Sequence, residues 1–493
     1  MFRFIGVFLA VTASMNLALI KVAVADVNDD NNVLSNERMF EWILELDDMG
    51  VSSDAGFRQA GSEADLEAAA FLLDEISEFG IEDVRLDPVE VILSTSEGVR
   101  LKLGDKRDSP IVPASYMGFT KGTTSEGVVG ELLYVGRGLD ANAFADAAGK
   151  IVVVDLWAPG LGYDQFFAPF DVYTYDPENT LVGNKVTQNW PVLNFRRPTF
   201  APYGHAVANG AIGIIAIIDF DLADSHDYFT PYDHVVRTMP GIYISKSHGS
   251  ELKDMIASGP VIANIEVEAS NRPATTHNVV ATLPGQSEEV ILITSHYDGW
   301  ASNDASGTAV MLGLAEYFAH SPLQRTLVFL WAGGHFAGDE PTKQFIAQNP
   351  ELMDSVVVQI GVEHISKEFV QVDGQFHETG QVAPRVFFLS GPAPFEANPV
   401  LTAITKNATM NQDLVRTIGL PASGPLGAEP PGLSRWYFEH GGIPIVHLIT
   451  GPAIMFTPMD TPDTVAKDQL KPVAETLLEI IEAIDTVDAA LLR

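Results

Sequence analysis

The carboxyl-terminal part of the chain alternates between short apolar runs of strand length and a segment with helical periodicity. From about Thr276 onward it predicts a helix at 309–319 and strands at 279–283, 290–295, 326–331, 356–363 and 445–449. Strands that alternate with helices form a sheet with helices on both faces. We therefore predict an α/β fold with a doubly wound mixed sheet, closed by an amphipathic helix within 468–492.

Polar side chains follow the predicted strands at the points where those strands end. His296 follows the second strand, His335 follows the third, and Glu363 and His364 end the fourth. In doubly wound sheets, ligands bind at the carboxyl ends of the strands. We therefore expect these side chains to converge on one site.

Two further regions precede this sheet. Residues 26–97 predict two helices and a strand that belong to the same domain as 276–493. Residues 98–275 contain buried strands bounded by glycines, which predict an inserted mixed β/α domain. The aromatic and proline-rich stretch at 157–203 is typical of a functional loop or of a plain surface loop.

Residues 1–25 have the features of an export signal. Arg3 supplies positive charge, an apolar run covers 4–20, and Ala-Val-Ala at 23–25 is a cleavage pattern. Ser14 and Asn16 interrupt the run, which is short for a bilayer span. We predict a periplasmic or secreted protein with no membrane span after signal cleavage.

Composition excludes several classes of function. The net charge of −36 repels nucleic acid and anionic membranes. The absence of cysteine excludes disulfides, thiolate catalysis and cysteine-type zinc sites. The chain has no Gly-x-Ser-x-Gly elbow and no phosphate-binding glycine loop in the right context. The expected partner is a small-molecule or peptide substrate.

Several short motifs occur in an order that resembles a known family. They are Arg-Gln-Ala-Gly-Ser at 58–62, His-Asn-Val-Val-Ala-Thr-Leu-Pro-Gly at 277–285, His-Tyr-Asp at 296–298, Asp-Ala-Ser-Gly at 304–307 and Thr-Pro-Met-Asp-Thr-Pro-Asp at 457–463. Together they resemble the co-catalytic zinc aminopeptidases, whose family also contains glutamate carboxypeptidase and the transferrin receptor ectodomain. The resemblance implies a zinc-peptidase-like, phosphorylase/hydrolase-like fold, with 98–275 as a protease-associated-like insertion.

The resemblance also implies positions for metal ligands. The first ligand matches His296, with Asp298 as the residue that orients it, and a later carboxylate ligand matches Glu363. The bridging carboxylate matches Asn303 by strict spacing, or Asp304 in a register shifted by one residue. His296, Asp304 and Glu363 are a reasonable ligand set for one divalent cation, for which zinc is the best candidate.

The remaining family positions carry different residue types. The paired carboxylates after the third strand fall on His335 and Phe336, or on Gly333 and Gly334 in a tighter register, and neither register restores a carboxylate. The final histidine ligand falls on Phe456. A phenyl ring donates no ligand atom, so a second metal is not expected.

The histidines have alternative interpretations. His335 stands in place of the usual glutamate base, and an unperturbed pKa of roughly 6.5 suits it to proton transfer; metal ligation and a structural role are the alternatives. His364 would point to the other face of a continuing strand, which favours a packed or hydrogen-bonded side chain over a substrate-binding one. His447, within a predicted strand, is expected to be a core residue near the site in chain order only.

Three functions are compatible with these residues. The first is an exported metallopeptidase-like hydrolase for an amide or peptide-type bond, with at most one metal and His335 as base. The second is a catalytically inactive homologue that binds a ligand, because Asn303, Phe336 and Phe456 replace metal ligands and make the pocket partly apolar. The third is lyase or isomerase chemistry in the same pocket.

Overall fold

The computed structural model describes residues 34–53, 55–104, 110–156, 160–187, 201–221, 231–423 and 432–493. The predicted export signal at 1–25 and parts of the stretch at 157–203 lie outside the described residues. Within the described ranges, every helix is too short or too polar to cross a membrane.

The described secondary structure follows the predicted alternation. The α-helices, in chain order, are α1 Asn36–Val51, α2 Glu63–Glu78, α3 Ala201–Ala208, α4 Lys246–Ser258, α5 Ser306–His320, α6 Glu340–Gln348, α7 Pro350–Ser355, α8 Pro399–Asn411, α9 Ser434–Glu439 and α10 Leu470–Thr486. The strands are β1 Asp83–Leu103, β2 Ile111–Val112, β3 Ser115–Tyr116, β4 Val128–Tyr134, β5 Ile151–Asp155, β6 Leu161–Gly162, β7 Tyr173–Tyr175, β8 Lys185–Thr187, β9 Gly213–Ile217, β10 Gly241–Ile244, β11 Ile262–Leu283, β12 Ser287–His296, β13 Arg325–Ala332, β14 Val356–Val362, β15 Lys367–Val372, β16 Gln375–Val382, β17 Arg385–Leu389, β18 Thr417–Pro421 and β19 Ile445–Thr450.

Most of these strands join one mixed sheet. Its order is β3-β10-β9-β5-β4-β11-β13-β12-β14-β19-β17-β18-β7, with β1 paired to β11 and β2 paired to β1 beside this path. The four central strands β13, β12, β14 and β19 are parallel, whereas β11 and β17 flank them in the antiparallel direction. The predicted doubly wound mixed sheet is confirmed.

Successive residues of the central strands enter two different cores. Ile291 and Ile293 pack in the cluster that contains α5 and α10. Val290 and Leu292 pack in a second cluster with residues of α6, α7 and α9. This alternation follows from the two-residue period of a strand. Helices therefore cover both faces of the sheet.

Two long strands connect the central sheet to the middle of the chain. β1 pairs with β11 from Asp83 opposite Thr282 to Leu103 opposite Ala263, with one irregularity between Ser96 and Gly98. β11 also pairs with β4, which leads into the parallel strands β5, β9 and β10. The predicted boundaries at 97/98 and 275/276 fall inside β1 and β11. The division into domains, including the protease-associated-like insertion, stays a prediction.

The described part of the stretch at 157–203 contributes to the sheet. β7 pairs with β18 and forms an edge of the main sheet, and β6 pairs with β8 in a separate two-stranded sheet. This part of the stretch therefore extends the scaffold.

The segment at 58–62 closes onto the loop that follows β12. The buried guanidinium of Arg58 donates to three carbonyl oxygens, those of Leu46, Tyr297 and Trp300, each at 2.7 Å. The backbone of Arg58 also pairs with Gly299. Arg58 thereby fixes the loop at 297–300, which leads directly into the candidate site.

Replacing Arg58 by methionine should leave three buried carbonyl groups without their donor. We expect the free energy of unfolding to fall by about 3–5 kcal/mol, measured by urea denaturation. Arg85→Met is the control, because Arg85 is partly exposed and pairs with its near neighbour Asp87; its effect should stay within about 0.5 kcal/mol. Equal losses for both variants would contradict the role given to Arg58.

Candidate metal centre

The polar residues at the strand ends converge as expected. His296 is the last residue of β12, and Glu363 and His364 directly follow β14, which is the parallel neighbour of β12. Asp304 lies in a π-type turn, Ala301–Ala305, that leads into α5. His335 follows β13, and its ring centroid lies 4.4 Å from that of His296.

Four of these side chains direct one atom each toward a common point. Nε2 of His296 lies 3.5 Å from Oδ1 of Asp304 and 3.9 Å from Oε2 of Glu363. Nε2 of His364 lies 4.0 Å from the same Asp304 oxygen and 3.9 Å from the same Glu363 oxygen. Ligands around tetrahedral zinc lie roughly 3.3–3.6 Å apart, since each bond is about 2.0–2.2 Å long. The atoms of His296, Glu363 and His364, which all lie within 4.8 Å of one another, therefore need only a moderate contraction around one cation, and Asp304 lies next to both histidines.

Three of the inward-facing atoms are buried and lack a hydrogen-bond partner within the described part of the chain. They are Nε2 of His296, Oδ1 of Asp304 and Oε2 of Glu363. Each such atom costs about 1–3 kcal/mol, so native proteins rarely leave them unsatisfied. One divalent cation satisfies all three. Imidazole and carboxylate donors without thiolate suit zinc, so the residues present fit a single zinc ion.

The outer nitrogen of each histidine faces a carbonyl group. Nδ1 of His296 lies 3.2 Å from the carbonyl oxygen of Asp298, and Nδ1 of His364 lies 2.8 Å from that of Thr450. A carbonyl oxygen only accepts, so Nδ1 carries the hydrogen and Nε2 presents its lone pair inward. Both rings are therefore held in the tautomer that binds a metal.

The position of His364 differs from the expectation based on strand alternation. β14 ends at Val362, and His364 has a φ of 60°. The two-residue alternation of a strand therefore does not extend to this residue. His364 instead lies with His296 and Glu363 in a group whose ligand atoms are all within 4.8 Å of one another.

Each carboxylate has one oxygen held by a backbone N–H group. Oδ2 of Asp304 accepts from the N–H of Trp300 at 2.6 Å, and Oε1 of Glu363 accepts from that of Leu433 at 3.0 Å. The other oxygen of each carboxylate is the one that faces the common point. The backbone thus orients both carboxylates.

The two carboxylates differ in their electrostatic surroundings. Burial raises the pKa of Asp304 to about 8, although His296 opposes that shift. Burial also acts to raise the pKa of Glu363, but the surrounding imidazoles, with His447 the strongest, outweigh it and lower that pKa to about 2. Glu363 is therefore ionised at neutral pH.

The turn that carries Asp304 is anchored from the far end of the chain. Oδ1 of Asp460 accepts from the N–H of Ser302 at 2.6 Å and from its hydroxyl at 2.7 Å. Asn303, the alternative bridging position, occupies the same turn, but its side chain lies outside the described residues. Within the described residues, it is Oδ1 of Asp304 that lies next to Nε2 of His296, at 3.5 Å.

His335 forms a dyad with Asp339, a residue that the sequence analysis missed. Nδ1 of His335 lies 2.6 Å from Oδ1 of Asp339, whose Oδ2 accepts from Nε1 of Trp436 at 2.8 Å. Burial lowers the pKa of His335, but Asp339 outweighs it and raises the pKa to about 10. The spacing of four residues, which places side chains on one side of a helical turn, was the available sequence signal.

Asp298 supports this segment as well as His296. Its Oδ1 lies 3.3 Å from Nδ1 of His296. The same carboxylate accepts from the backbone N–H groups of His335 at 3.1 Å and Phe336 at 2.9 Å. Asp298 therefore joins the end of β12 to the turn after β13.

Aromatic rings pack beside the polar group. The ring of Phe336 lies 5.7 Å from that of Phe456, 5.5 Å from Trp300, 5.4 Å from Tyr232 and 5.7 Å from His296, between centroids. Phe336 and Phe456 are both buried. The positions that the family resemblance assigned to ligands of a second metal thus contribute to an apolar cluster.

The structure corrects the expectation for His447. This residue is buried in β19, as expected, but its Nε2 lies 3.6 Å from Oε1 of Glu363. β19 pairs with β14, which brings His447 beside the end of that strand. His447 therefore adjoins the site in space and not only in chain order.

Residues 278–376 match the model for Peptidase family M28. The matched segment contains β12, β13 and β14 together with the polar residues at their ends. Over this segment the chain is similar to M28 peptidases. This finding confirms the family resemblance drawn from the motifs.

Solved structures share the fold of this chain. An aminopeptidase from Aneurinibacillus sp. strain AM-1 has 19% identity and a TM-score of 0.61, with 91% of this chain and 93% of that chain covered. A zinc aminopeptidase from Bacillus subtilis has 15% identity and a TM-score of 0.64, with 93% and 98% covered. A peptidase M28 precursor from Shewanella amazonensis has 16% identity and a TM-score of 0.62, with 93% and 99% covered.

A search of curated proteins finds no match to the sequence. At these low identities, the structural likeness establishes the fold alone. Family and fold together support a peptidase-like hydrolase.

Gly299 provides a test of how the carboxylate of Asp304 is accommodated. Gly299 has a φ of 115°, and a Cβ there would lie 2.0 Å from Oδ2 of Asp304 and 2.6 Å from Cε2 of Phe336. We expect Gly299→Ala to displace Asp304 and weaken zinc binding by about tenfold or more, measured by competition with a chelator.

Gly441→Ala is the matched control for this substitution. Gly441 has a φ of 139°, and a Cβ there would meet nothing within 4 Å. This variant should carry only backbone strain, about 1–3 kcal/mol of stability, with unchanged zinc affinity. Weakened zinc binding in both variants would show that the clash with Asp304 is not the cause.

Proposed function

We propose that this chain is an exported metallopeptidase-like hydrolase that cleaves an amide or peptide-type bond of a small substrate with one divalent cation, zinc. The observation that carries this proposal is the group of three buried, unpartnered atoms of His296, Asp304 and Glu363, which face one another beside Nε2 of His364. Export rests on the signal-like pattern at 1–25.

In this proposal His296, Asp304 and Glu363 would hold the cation. The fourth position, beside His364, would stay open for water or substrate, as in catalytic zinc sites. Lewis-acid polarisation of a scissile carbonyl is the chemistry that zinc supplies when it is bound. The four residues contribute fixed geometry, because a hydrogen bond or a close carbonyl group orients each of them from its outer side. They also exclude bulk water from the cation, since all four are buried.

His335 holds and transfers the proton. Its Nδ1 is engaged by Asp339, so Nε2 is the nitrogen that exchanges a proton with the reacting groups. Asp339 stabilises the protonated ring, and Trp436 fixes the Asp339 carboxylate. Since its pKa of about 10 keeps His335 protonated at neutral pH, this arrangement is a general-acid dyad at the position where the family resemblance implies a glutamate base.

Two observations support a single cation and a peptide-type substrate. Phe336 and Phe456 pack against each other beside the site and offer no donor atom, so we assign them to an apolar wall of the substrate pocket. The similar structure from Bacillus subtilis is a zinc aminopeptidase, and the M28 family consists of peptidases. Both support zinc and a peptide bond.

Zinc content and hydrolysis, measured together on the purified chain with aminoacyl and acyl-amino substrates, test the proposal. We expect one zinc per chain and hydrolysis that a chelator abolishes. Glu363→Gln should lose both zinc and hydrolysis. His335→Ala should keep zinc and lose about 100-fold or more in kcat, because general acid–base catalysis contributes about that much.

His440→Ala is the control, since His440 is exposed in the turn that precedes β19. It should keep both properties. Undiminished hydrolysis by His335→Ala would remove the dyad from the mechanism. Stoichiometric zinc with no hydrolysis of any substrate would instead favour a ligand-binding role for the pocket.

A further inference from the structure

A buried pair, Ser434 and His447, lies directly behind Glu363. Oγ of Ser434 lies 2.6 Å from Nδ1 of His447, and Nε2 of His447 lies 3.6 Å from Oε1 of Glu363. The three residues come from α9, β19 and the end of β14, and each is at most 1% exposed. Ser434 is therefore inaccessible to a substrate. The three residues Ser434, His447 and Glu363, called the row below, are not a catalytic nucleophile with its base.

Two glycines leave the space that this row occupies. A Cβ at Gly361 would lie 2.1 Å from Nδ1 of His447 and 2.7 Å from Oγ of Ser434. A Cβ at Gly432, which has a φ of 65°, would lie 2.4 Å from Oε1 of Glu363. Any larger residue at either position would displace a member of the row.

The hydrogen positions follow from the charge of Glu363. A carboxylate oxygen that binds a cation only accepts hydrogen bonds, and Nε2 is the nitrogen of His447 that faces Oε1. With hydrogen on Nε2, Nδ1 of His447 accepts the hydroxyl hydrogen of Ser434. Ser434 thus selects the tautomer of His447, as outer partners do for metal-binding histidines.

Oε1 of Glu363 consequently receives two groups from the protein. One is the N–H of Leu433, which donates to Oε1 at 3.0 Å, and the other is Nε2 of His447, which faces the same oxygen at 3.6 Å, beyond hydrogen-bond length. Oε2 is left facing His296 and His364. Oε1 of Glu363 is thus held by the protein, and Oε2 faces the proposed metal position.

We propose that Ser434 and His447 are positioning residues that set the zinc affinity of the site through Glu363. This inference rests on the proposed function in one respect, namely that Glu363 is a ligand of the cation. Removal of an outer partner of a metal ligand typically weakens metal binding by about 10- to 100-fold.

The test measures the zinc dissociation constant of the full chain by competition between the metal-free protein and a chromophoric chelator. His447→Leu removes the polar nitrogen that faces Oε1 of Glu363 and should weaken binding by about 10- to 100-fold. His447→Gln should bind nearly as tightly as the original chain, because its amide nitrogen reaches the place of Nε2. His447→Asn, whose amide reaches only the place of Nδ1, should behave like His447→Leu.

Ser434→Ala tests the other half of the row and should also weaken zinc binding. Ser390→Ala is its matched control, because Ser390 is a buried serine whose Oγ accepts the N–H of Ile445 on the same strand, β19. Ser390→Ala should lower stability in urea and leave the zinc dissociation constant unchanged. If His447→Gln binds zinc tightly while His447→Leu does not, the loss in His447→Leu comes from the missing polar group. A general loss of folding would not be restored by glutamine.

The outcomes separate this inference from the proposed function. If His447→Leu and Ser434→Ala bind zinc as tightly as the original chain while Glu363→Gln does not bind it, the positioning role is wrong and the metal site stands. Weakening by Ser390→Ala equal to that by Ser434→Ala would also overturn the positioning role. If the original chain takes up no zinc, both proposals fail together.

Discussion

Two carboxylates and two imidazoles face one another in a buried space, and the rest of the site is arranged around this unfavourable contact. Asp304 and Glu363 carry like charges when ionised, and burial removes the water that would screen them. The imidazoles of His296 and His364 present lone pairs to the same point. A divalent cation would bind these groups and offset their mutual repulsion. Without a cation, the same buried groups would lower the stability of the fold.

Holding such a group in place requires that the opposite side of each residue be satisfied. Carbonyl groups face the outer nitrogens of both histidines, and backbone N–H groups hold one oxygen of each carboxylate. Further support comes from distant segments, since Arg58 binds the loop at 297–300 and Asp460 binds the turn that carries Asp304. Several motifs of the family resemblance are therefore supports of the site and not ligands.

The other side of the site differs in character. Phe336 and Phe456 pack with Trp300 and Tyr232 into an aromatic cluster beside His296. In the proposed reaction this cluster is an apolar wall next to a single cation, and His335 with Asp339 supplies the proton transfer. In this proposal Phe336 and Phe456 would supply apolar surface where a second metal site is expected from the family resemblance, and this surface would affect how a substrate binds.

Local patterns in the sequence were sufficient for the fold and for the edge of the sheet at which the site forms. The alternation of apolar residues predicts strands and helices, and the rule that sites form at strand ends placed His296, His335 and Glu363 together. The sequence did not decide whether Asn303 or Asp304 occupies the position of the bridging carboxylate, because a shift of one residue in a turn does not change the pattern of apolar residues. The dyad partner Asp339 was overlooked although its spacing was visible.

The sequence alone thus predicted the doubly wound sheet, the resemblance to a family and most of the residues that meet at the edge of the sheet, since each of these depends on local periodicity and motif order. Tertiary structure alone decided the orientation of each side chain. His364 faces the site because β14 ends two residues earlier and its backbone turns to a positive φ. His447 and Leu433 reach Glu363 from more than 65 positions away, by strand pairing and loop closure that no local pattern encodes.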